Sequence, residues 1–181
     1  DLLICNGFPK DITDHDFAVF RAKAFLATSK DQLLIQVPEV KIHNYGFKNN
    51  GDLTFTDVSE KWGLILPTFS NGAASADLDL DGDLDLVINN INDEALVYKN
   101  NTSEKKEAKN HSIRIALKGD QKNPKGTGAR IEIYYGNGQK QASELTLYRG
   151  YLSTIESILH FGLGGINKVD SIVVKWPNRN R

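Results

Sequence analysis

Five aspartates occupy alternate positions in one short stretch, and they are the side chains in this sequence most suited to chemistry. The stretch runs from Asp77 to Asp85 and reads D-L-D-L-D-G-D-L-D. So many like charges at this spacing repel one another strongly unless a cation neutralises them. Oxygen ligands without His or Cys favour Ca²⁺ or Mg²⁺, and an irregular loop supplying about 6–8 oxygens suits Ca²⁺. The stretch therefore predicts a calcium site.

The residue types assign roles along this loop. Gly82 follows the third Asp, where the chain must turn sharply and a positive φ is least strained in glycine. Asp83 lies where such loops commonly donate a backbone carbonyl, so its side chain is expected to face solvent, as the intervening leucines are expected to point away from the ion. The predicted side-chain ligands are Asp77, Asp79, Asp81 and Asp85, with the backbone carbonyl of Asp83 as a further ligand.

Two other kinds of structure would also place acids close together in a loop. An EF-hand begins similarly but ends on a bidentate Glu at its twelfth position, which is Ile88 here. Apolar and polar residues also alternate over 84–89 with the period of a strand, which favours a strand-loop-strand site. The remaining alternative is a solvated acidic turn that holds no ion.

Length and composition describe an ordinary globular protein. The 181 residues are 40% hydrophobic and 25% charged, with a net charge of −1. This balance gives no electrostatic reason to expect nucleic acid or a membrane surface as partner. No apolar run reaches the roughly 18–20 residues needed to cross a bilayer. Cys5 is the single cysteine, so an internal disulfide is excluded and a small buried residue is expected instead of a reactive thiol.

The start of the sequence resembles part of the aspartate stretch. Residues 1–6 read D-L-L-I-C-N and residues 85–90 read D-L-V-I-N-N, which agree at four of six positions. If this is a repeat, Asp1 corresponds to Asp85. Repeat units need neighbours to bury their apolar faces, so we expect the chain to begin within a repeat and to come from a longer protein.

A helical segment over about 14–37 separates this start from the strands that follow. Apolar residues recur at three- and four-residue spacing from Phe17 to Phe25, which predicts an amphipathic helix ending near Thr28. A second short helix is expected over 30–37, before a proline. His15 lies among carboxylates without a second His nearby, which favours a capping or surface role.

The rest of the chain is typical of strands. Four strands between about 44 and 99, including a hairpin turn at 49–52, would make one propeller-like blade over 41–99. The polar stretch 100–110 is predicted to be a linker. At least five strands over 111–181 predict a compact antiparallel β-sandwich. The expected fold is thus mainly β, a partial propeller at 1–99 with a helical insertion, followed by the sandwich.

Two segments resemble known families. Residues 45–64 and 70–86, which include Phe47, Asn49, Gly51 and the aspartate loop, resemble the FG-GAP-like or VCBS repeat, the calcium-binding blade also found in integrin α-subunit propellers. That resemblance implies a propeller blade with a structural calcium ion.

The second resemblance is to the ASPIC and UnbV domain of cartilage acidic protein and enediyne biosynthetic proteins. It rests on N-H-S-I-R-I-A-L-K-G at 110–119, G-T-G-A-R-I-E-I at 126–133, R-G-Y-L-S at 149–153, H-F-G-L-G at 160–164 and V-D-S-I-V-V-K-W-P-N at 169–178. This domain commonly follows FG-GAP-like repeats. The pair therefore implies a secreted or cell-surface protein, of the kind found in Bacteroidetes, in the outer membrane or periplasm if bacterial.

The predicted function is a non-enzymatic, calcium-binding module for adhesion or for recognition of an extracellular protein or glycan, joined to further propeller blades of its parent protein. No catalytic residues and no organic cofactor are predicted, because no nucleophile and base occur at a defensible spacing. The alternatives are an accessory or enzyme domain of a biosynthetic or polysaccharide-utilisation system, and a structural spacer. An enzyme would need a pocket joining Arg149, Tyr151 and His160.

Overall fold

The fold is described from a computed structural model that covers residues 1–181. The residues described are 1–7, 9–11, 13–24, 29, 35–104 and 110–177. Two compact units divide the chain. The first contains Asp1–Gly72 and Ile88–Leu96, and the second contains Ala73–Val87 and Val97–Arg181. The aspartate stretch thus belongs to the same unit as the C-terminal strands.

The first sheet has three strands in the order β1-β2-β3, which are Leu2–Ile4, Tyr45–Asn49 and Phe55–Asp57. Both pairs are antiparallel, with Leu2 opposite Phe47 and Phe47 opposite Asp57. The predicted turn between β2 and β3 is present: Gly51 has a φ of 84° and the amide of Asn50 donates to the carbonyl of Thr54. Alternating aromatic and polar residues therefore specify this hairpin as expected.

One helix, α1 at His15–Ala24, lies within the described residues. Asp14 caps its start, because the Asp14 Oδ1 atom accepts a 2.7 Å hydrogen bond from the amide of Phe17. Phe17 and Ala24 are the buried residues of the helix. The predicted helix over 17–25 is thus found up to Ala24, and its end near Thr28 and most of the second predicted helix lie outside the described residues.

A second three-stranded sheet has the order β4-β5-β6, formed by Ser70–Ala76, Asp85–Asn90 and Leu96–Tyr98. The region 44–99 therefore has five strands shared between two sheets, where four strands were predicted. The interruption lies at residues 58–69, where the carbonyls of Val58 and Ser59 accept the amides of Trp62 and Leu64 in turns instead of in a ladder.

Five further strands follow, and each pairs antiparallel with its neighbours. One sheet has the order β10-β7 and the other the order β11-β8-β9. The strands are β7 His111–Ala116, β8 Arg130–Tyr135, β9 Gln139–Glu144, β10 Ile158–Gly164 and β11 Val169–Lys175.

Both of these sheets contribute to one hydrophobic core. Alternate residues of β8, Ile131 and Ile133, are fully buried, and alternate residues of β10, Leu159 and Phe161, pack in the same cluster. The apolar residues at every second position of β8 and β10 therefore form the faces that pack in this core. Most of the apolar stabilisation of the second unit comes from this cluster. Its other buried members are Ala129, Tyr135, Leu145 and Leu163.

Candidate metal site

The aspartate loop brings three carboxylates together. Carboxylate oxygens of Asp77, Asp79 and Asp81 all lie within 4.8 Å of one another. Asp77 follows β4 directly and is buried, while Asp79 and Asp81 are exposed. The loop then reverses at Gly82, whose φ of 93° is the left-handed conformation predicted for this glycine. Leu80 also has a positive φ, of 63°, and the bends over 78–83 bring the three carboxylates together.

Two buried carboxylate oxygens in this loop have no hydrogen-bond partner. They are the Oδ1 atoms of Asp77 and Asp83. The side chain of Asp77 retains only 2% of its possible exposure, so water does not compensate for the missing partner. Burying an unpartnered carboxylate oxygen is costly, and native proteins rarely do so without a ligand or ion. A donor set made only of oxygens fits a hard cation such as Ca²⁺.

Asp85 has a different role in the local structure from Asp77. Its Oδ2 atom accepts the amide of Leu78 at 3.0 Å, and its Oδ1 atom accepts the amide of Asn100 at 2.8 Å. The buried carboxylate therefore closes the loop onto the chain that follows β6. The cluster of converging oxygens contains Asp77, Asp79 and Asp81, so the ligand roles of Asp85 and of the Asp83 carbonyl stay predictions.

The side chain of Asp83 differs from the expectation that it would face solvent. Its Oδ1 atom is buried, and its Oδ2 atom accepts a 2.8 Å hydrogen bond from the amide of Ser103. The physical reason is that Asp83 has donors within reach on the following segment. A carboxylate that pairs with a backbone amide is held in place more firmly than one left in water.

Lys99 and the first residues of the predicted linker, 100–104, lie against the aspartate loop. The Lys99 ammonium is 2.9 Å from Asp79 Oδ2, and the Ser103 hydroxyl donates to Asp81 Oδ2 at 2.5 Å. The Ser103 hydroxyl, followed by the amide of Asp83, lowers the pKa of Asp81. Hydrogen bonds to Asp79 and then to Glu104 raise the pKa of Lys99. The polar composition of 100–110 predicted a linker and did not indicate these contacts with the aspartate loop.

Strands β7 and β10 contact the other side of the loop. The carbonyl of Gly82 accepts the Ser112 hydroxyl at 2.6 Å and contacts the Nε2 atom of His160 at 2.9 Å. Arg114 bridges two acids: its Nη1 atom is 3.4 Å from Asp77 Oδ2, and its Nη2 atom is 3.1 Å from Glu156 Oε1. The loop is thus attached to strands 30 to 78 residues away in sequence.

The other polar residues singled out in the sequence have separate roles. His160 is on β10 and contacts the aspartate loop, whereas Arg149 and Tyr151 are exposed on the hairpin over 148–154. The amide of Arg149 donates to the carbonyl of Ser153, which closes this hairpin. Tyr151 is 64% exposed. None of the contacts described for these three residues joins His160 to the hairpin.

A serine, a histidine and an aspartate line an open cleft in the first unit, but their hydrogen bonds do not resemble a catalytic triad. The Ser59 hydroxyl donates to Asp57 Oδ1 at 2.6 Å, and this bond lowers the pKa of Asp57. His43 Nδ1 instead contacts the carbonyl of Asn44 at 2.7 Å. In a triad the serine would donate to the histidine. Nothing in the sequence indicated that these three residues would line one cleft.

Comparison with known proteins identifies the C-terminal region. The family model described as ASPIC and UnbV matches residues 119–181, about a third of the chain, and this confirms that part of the predicted resemblance. No curated protein matches the chain. In the described part of the chain, no helix is long and apolar enough to span a membrane.

Proposed function

We propose that the protein is a non-enzymatic, calcium-binding module and that the ion has a structural role in the aspartate loop. The observation that carries this proposal is the buried, unpartnered Oδ1 atom of Asp77, which lies within a group of three converging carboxylates. Asp77, Asp79 and Asp81 would hold the ion. When bound, Ca²⁺ supplies the positive charge that relieves repulsion within the loop. Because it binds the folded state and not the unfolded state, it stabilises the fold.

Two corresponding hydrogen bonds support a repeated structural unit. The Asp1 carboxylate accepts the amide of Asn49 at 2.9 Å, just as the Asp85 carboxylate accepts the amide of Asn100 at 2.8 Å. Asn49 and Asn100 follow F-K and Y-K, respectively. In addition, β1 pairs with β2 as β5 lies beside β6. This equivalence favours the FG-GAP-like repeat, with the helical segment inserted between β1 and β2.

The same repeat supports a propeller blade in the first part of the chain, and the shared hydrophobic core supports a β-sandwich in the second. We regard β4-β5-β6 with its aspartate loop as part of a propeller blade. The β10-β7 and β11-β8-β9 sheets, which share one cluster of buried side chains, are consistent with a β-sandwich. The ASPIC and UnbV match covers most of this second element.

A secreted or cell-surface location and an extracellular protein or glycan partner complete the proposal. Extracellular calcium is abundant enough to fill a site of modest affinity, such as one with few buried ligands. The paired resemblance to FG-GAP-like repeats and the ASPIC and UnbV domain is the support for recognition or adhesion.

The test is the melting temperature of the chain in excess EDTA, in millimolar Ca²⁺ and in millimolar Mg²⁺. We expect a rise in Ca²⁺ that Mg²⁺ does not reproduce, because an irregular set of carboxylates satisfies Ca²⁺ better than the octahedral Mg²⁺ ion. The double substitution Asp79→Ala with Asp81→Ala should abolish the rise. A wild-type melting temperature that is the same in EDTA and Ca²⁺ would refute the calcium site.

The matched control for that test is Asp120→Ala together with Asp170→Ala. These two aspartates are exposed, lie outside the aspartate loop and change the net charge by the same amount. The control variant should keep the full response to Ca²⁺. A loss of response in the control as well would show that the effect depends on total charge instead of on the loop.

A further inference from the structure

The side chain of Arg114 links the aspartate loop to Glu156, which lies two residues before β10. Arg114 lies on β7 between a buried acid and a more exposed one. Its Nη1 atom is 3.4 Å from Asp77 Oδ2, while its Nη2 atom is 3.1 and 3.3 Å from the two oxygens of Glu156. The contact to Glu156 is therefore shorter and involves both oxygens, which makes it the better-formed ion pair.

The two oxygens of Asp77 have different surroundings. Oδ2 faces the Arg114 guanidinium, and Oδ1 has no partner. The side chain is almost completely buried, so its charge is little screened by water. A cation that uses Oδ1 would share this one carboxylate with the guanidinium. Two positive groups on a single buried carboxylate repel each other.

We propose that Arg114 is a built-in competing cation that sets the affinity of the aspartate loop for Ca²⁺, and that Glu156 is the acid that holds Arg114 when the ion binds. This inference rests on the proposed calcium site. Without the ion, Arg114 partly neutralises Asp77. With the ion, the guanidinium keeps its contacts with Glu156 and gives up its longer contact with Asp77.

Substitution of Arg114 by Gln should therefore destabilise the calcium-free protein and strengthen its binding of calcium. In EDTA the melting temperature should fall, because the buried Asp77 carboxylate loses its only cationic partner among the described contacts. In Ca²⁺ the affinity should rise by about tenfold, since the competing charge is gone. A residue with a merely structural role would lower the melting temperature without tightening calcium binding.

Arg130→Gln is the matched control. Arg130 also pairs with a buried carboxylate, its Nε atom lying 3.3 Å from Glu132 Oε1, and the substitution changes the net charge by the same amount. Calcium affinity, measured by isothermal titration calorimetry, should stay within about twofold of the wild type in this control. Equal tightening in both variants would show that net charge, not Arg114, sets the affinity.

A thermodynamic cycle tests the role of Glu156. Glu156→Gln removes the second partner of Arg114, so the guanidinium stays on Asp77 and calcium binding should weaken by about tenfold. In the Arg114→Gln background the same Glu156 substitution should have little effect, because no guanidinium remains to be held. Equal weakening in both backgrounds would overturn the proposed role of Glu156.

The outcomes separate this inference from the proposed function. If the wild type binds Ca²⁺ and Arg114→Gln binds it no more tightly, the calcium site stands and the role of Arg114 is refuted. If the wild type does not bind, the proposed function fails, and binding gained in Arg114→Gln would still support the inference while no binding would overturn it. Arg114→Lys keeps the charge and should keep the wild-type affinity, which serves as the test if the Gln variant does not fold.

Discussion

Asp77 and Glu132 are both buried carboxylates of the second unit, and they differ in how their charge is balanced. Glu132 is 4% exposed and contacts three cations: Lys175 at 2.8 Å, Lys140 at 3.1 Å and Arg130 at 3.3 Å. Asp77 has one cation at 3.4 Å and one oxygen with no partner. One acid is thus fully compensated by the chain itself, while the other is left in need of positive charge.

The comparison shows why an acidic sequence is not enough to define a metal site. Glu132 lies on the central strand β8, so cross-strand neighbours on β9 and β11 bring cations to it. Asp77 lies where β4 ends, and the next residues along the loop are further acids. The position of each acid relative to the strands therefore decides how many protein cations reach it.

The largest expected effect is on the melting temperature in EDTA, and it should differ between the two acids when each is replaced by its amide. Glu132→Gln should lower the melting temperature by at least about 5 °C, because three cations would then lie together without a carboxylate. Asp77→Asn should change it by less than about 2 °C, since a carboxylate oxygen without a partner is removed while Arg114 keeps Glu156.

Calcium should reverse this order. Glu132→Gln should keep the stabilisation by Ca²⁺, and Asp77→Asn should lose it. The calcium-dependent gain in the free energy of unfolding should then differ by about 2.7 kcal/mol between the variants at a calcium concentration one hundred times the Kd. Thermal denaturation of both variants in EDTA and in Ca²⁺ measures the four values. Equal calcium responses in the two variants would remove the distinction between the acids.

The next effect is on acid stability. Hydrogen bonds from Lys175, then Lys140, lower the pKa of Glu132 from 4.5 to about 2. Because the pKa is lowered in the folded state, the contribution of the Glu132 carboxylate to the stability of the fold is fully present above pH 4.5. This contribution is lost as the pH falls from 4.5 to about 2. The difference in melting temperature between the wild type and Glu132→Gln should therefore be constant above about pH 5.5 and shrink through this range.

Melting curves between pH 7 and pH 2 make this measurement, with EDTA present throughout. Asp81 also has a lowered pKa, but it is present in both proteins and cancels in the difference. A difference that stays constant down to pH 2 would show that Glu132 is not held ionised by its three cations.

The smallest effect is expected for Lys99. Its ammonium lies 2.9 Å from Asp79 Oδ2, but both side chains are substantially exposed, at 49% and 36%. Water screens this pair, so Lys99→Gln should tighten calcium binding by only about twofold, well below the effect of Arg114→Gln. Calorimetric titrations at low and high salt would check it, since the small gain should vanish in high salt. A gain as large as that of Arg114→Gln would show that burial does not separate the two cations.

Local features of the fold were predictable from the sequence because they depend on neighbouring residues. The turn residues at 49–52 predicted the β2-β3 hairpin, and the glycine after the third Asp predicted the positive φ at Gly82. The spacing of acids and the glycine that follows the third of them also predicted that Asp77, Asp79 and Asp81 would share one site, and their oxygens do converge where the loop bends. Short motifs predicted that the C-terminal region resembles the ASPIC and UnbV domain, and the match of that family model to residues 119–181 supports the resemblance.

Partners distant in sequence were beyond this kind of prediction. Nothing in the local pattern indicated that Ser103 would cover Asp81 and Asp83, or that Ser112 and His160 would both contact Gly82. The division of the strands over 44–99 between two sheets was not predicted for a related reason, because which strands share a sheet depends on pairings between segments.

The sequence by itself determined that carboxylates would be crowded at one turn between two strands. Only the tertiary structure decided how their charge is balanced: Asp85 by backbone amides, Asp79 by Lys99, and Asp77 partly by Arg114 from β7. The physical reason is that repulsion is a local property of charges close in sequence. Its compensation depends on which donors and cations the fold brings to each carboxylate and on how much water it leaves there.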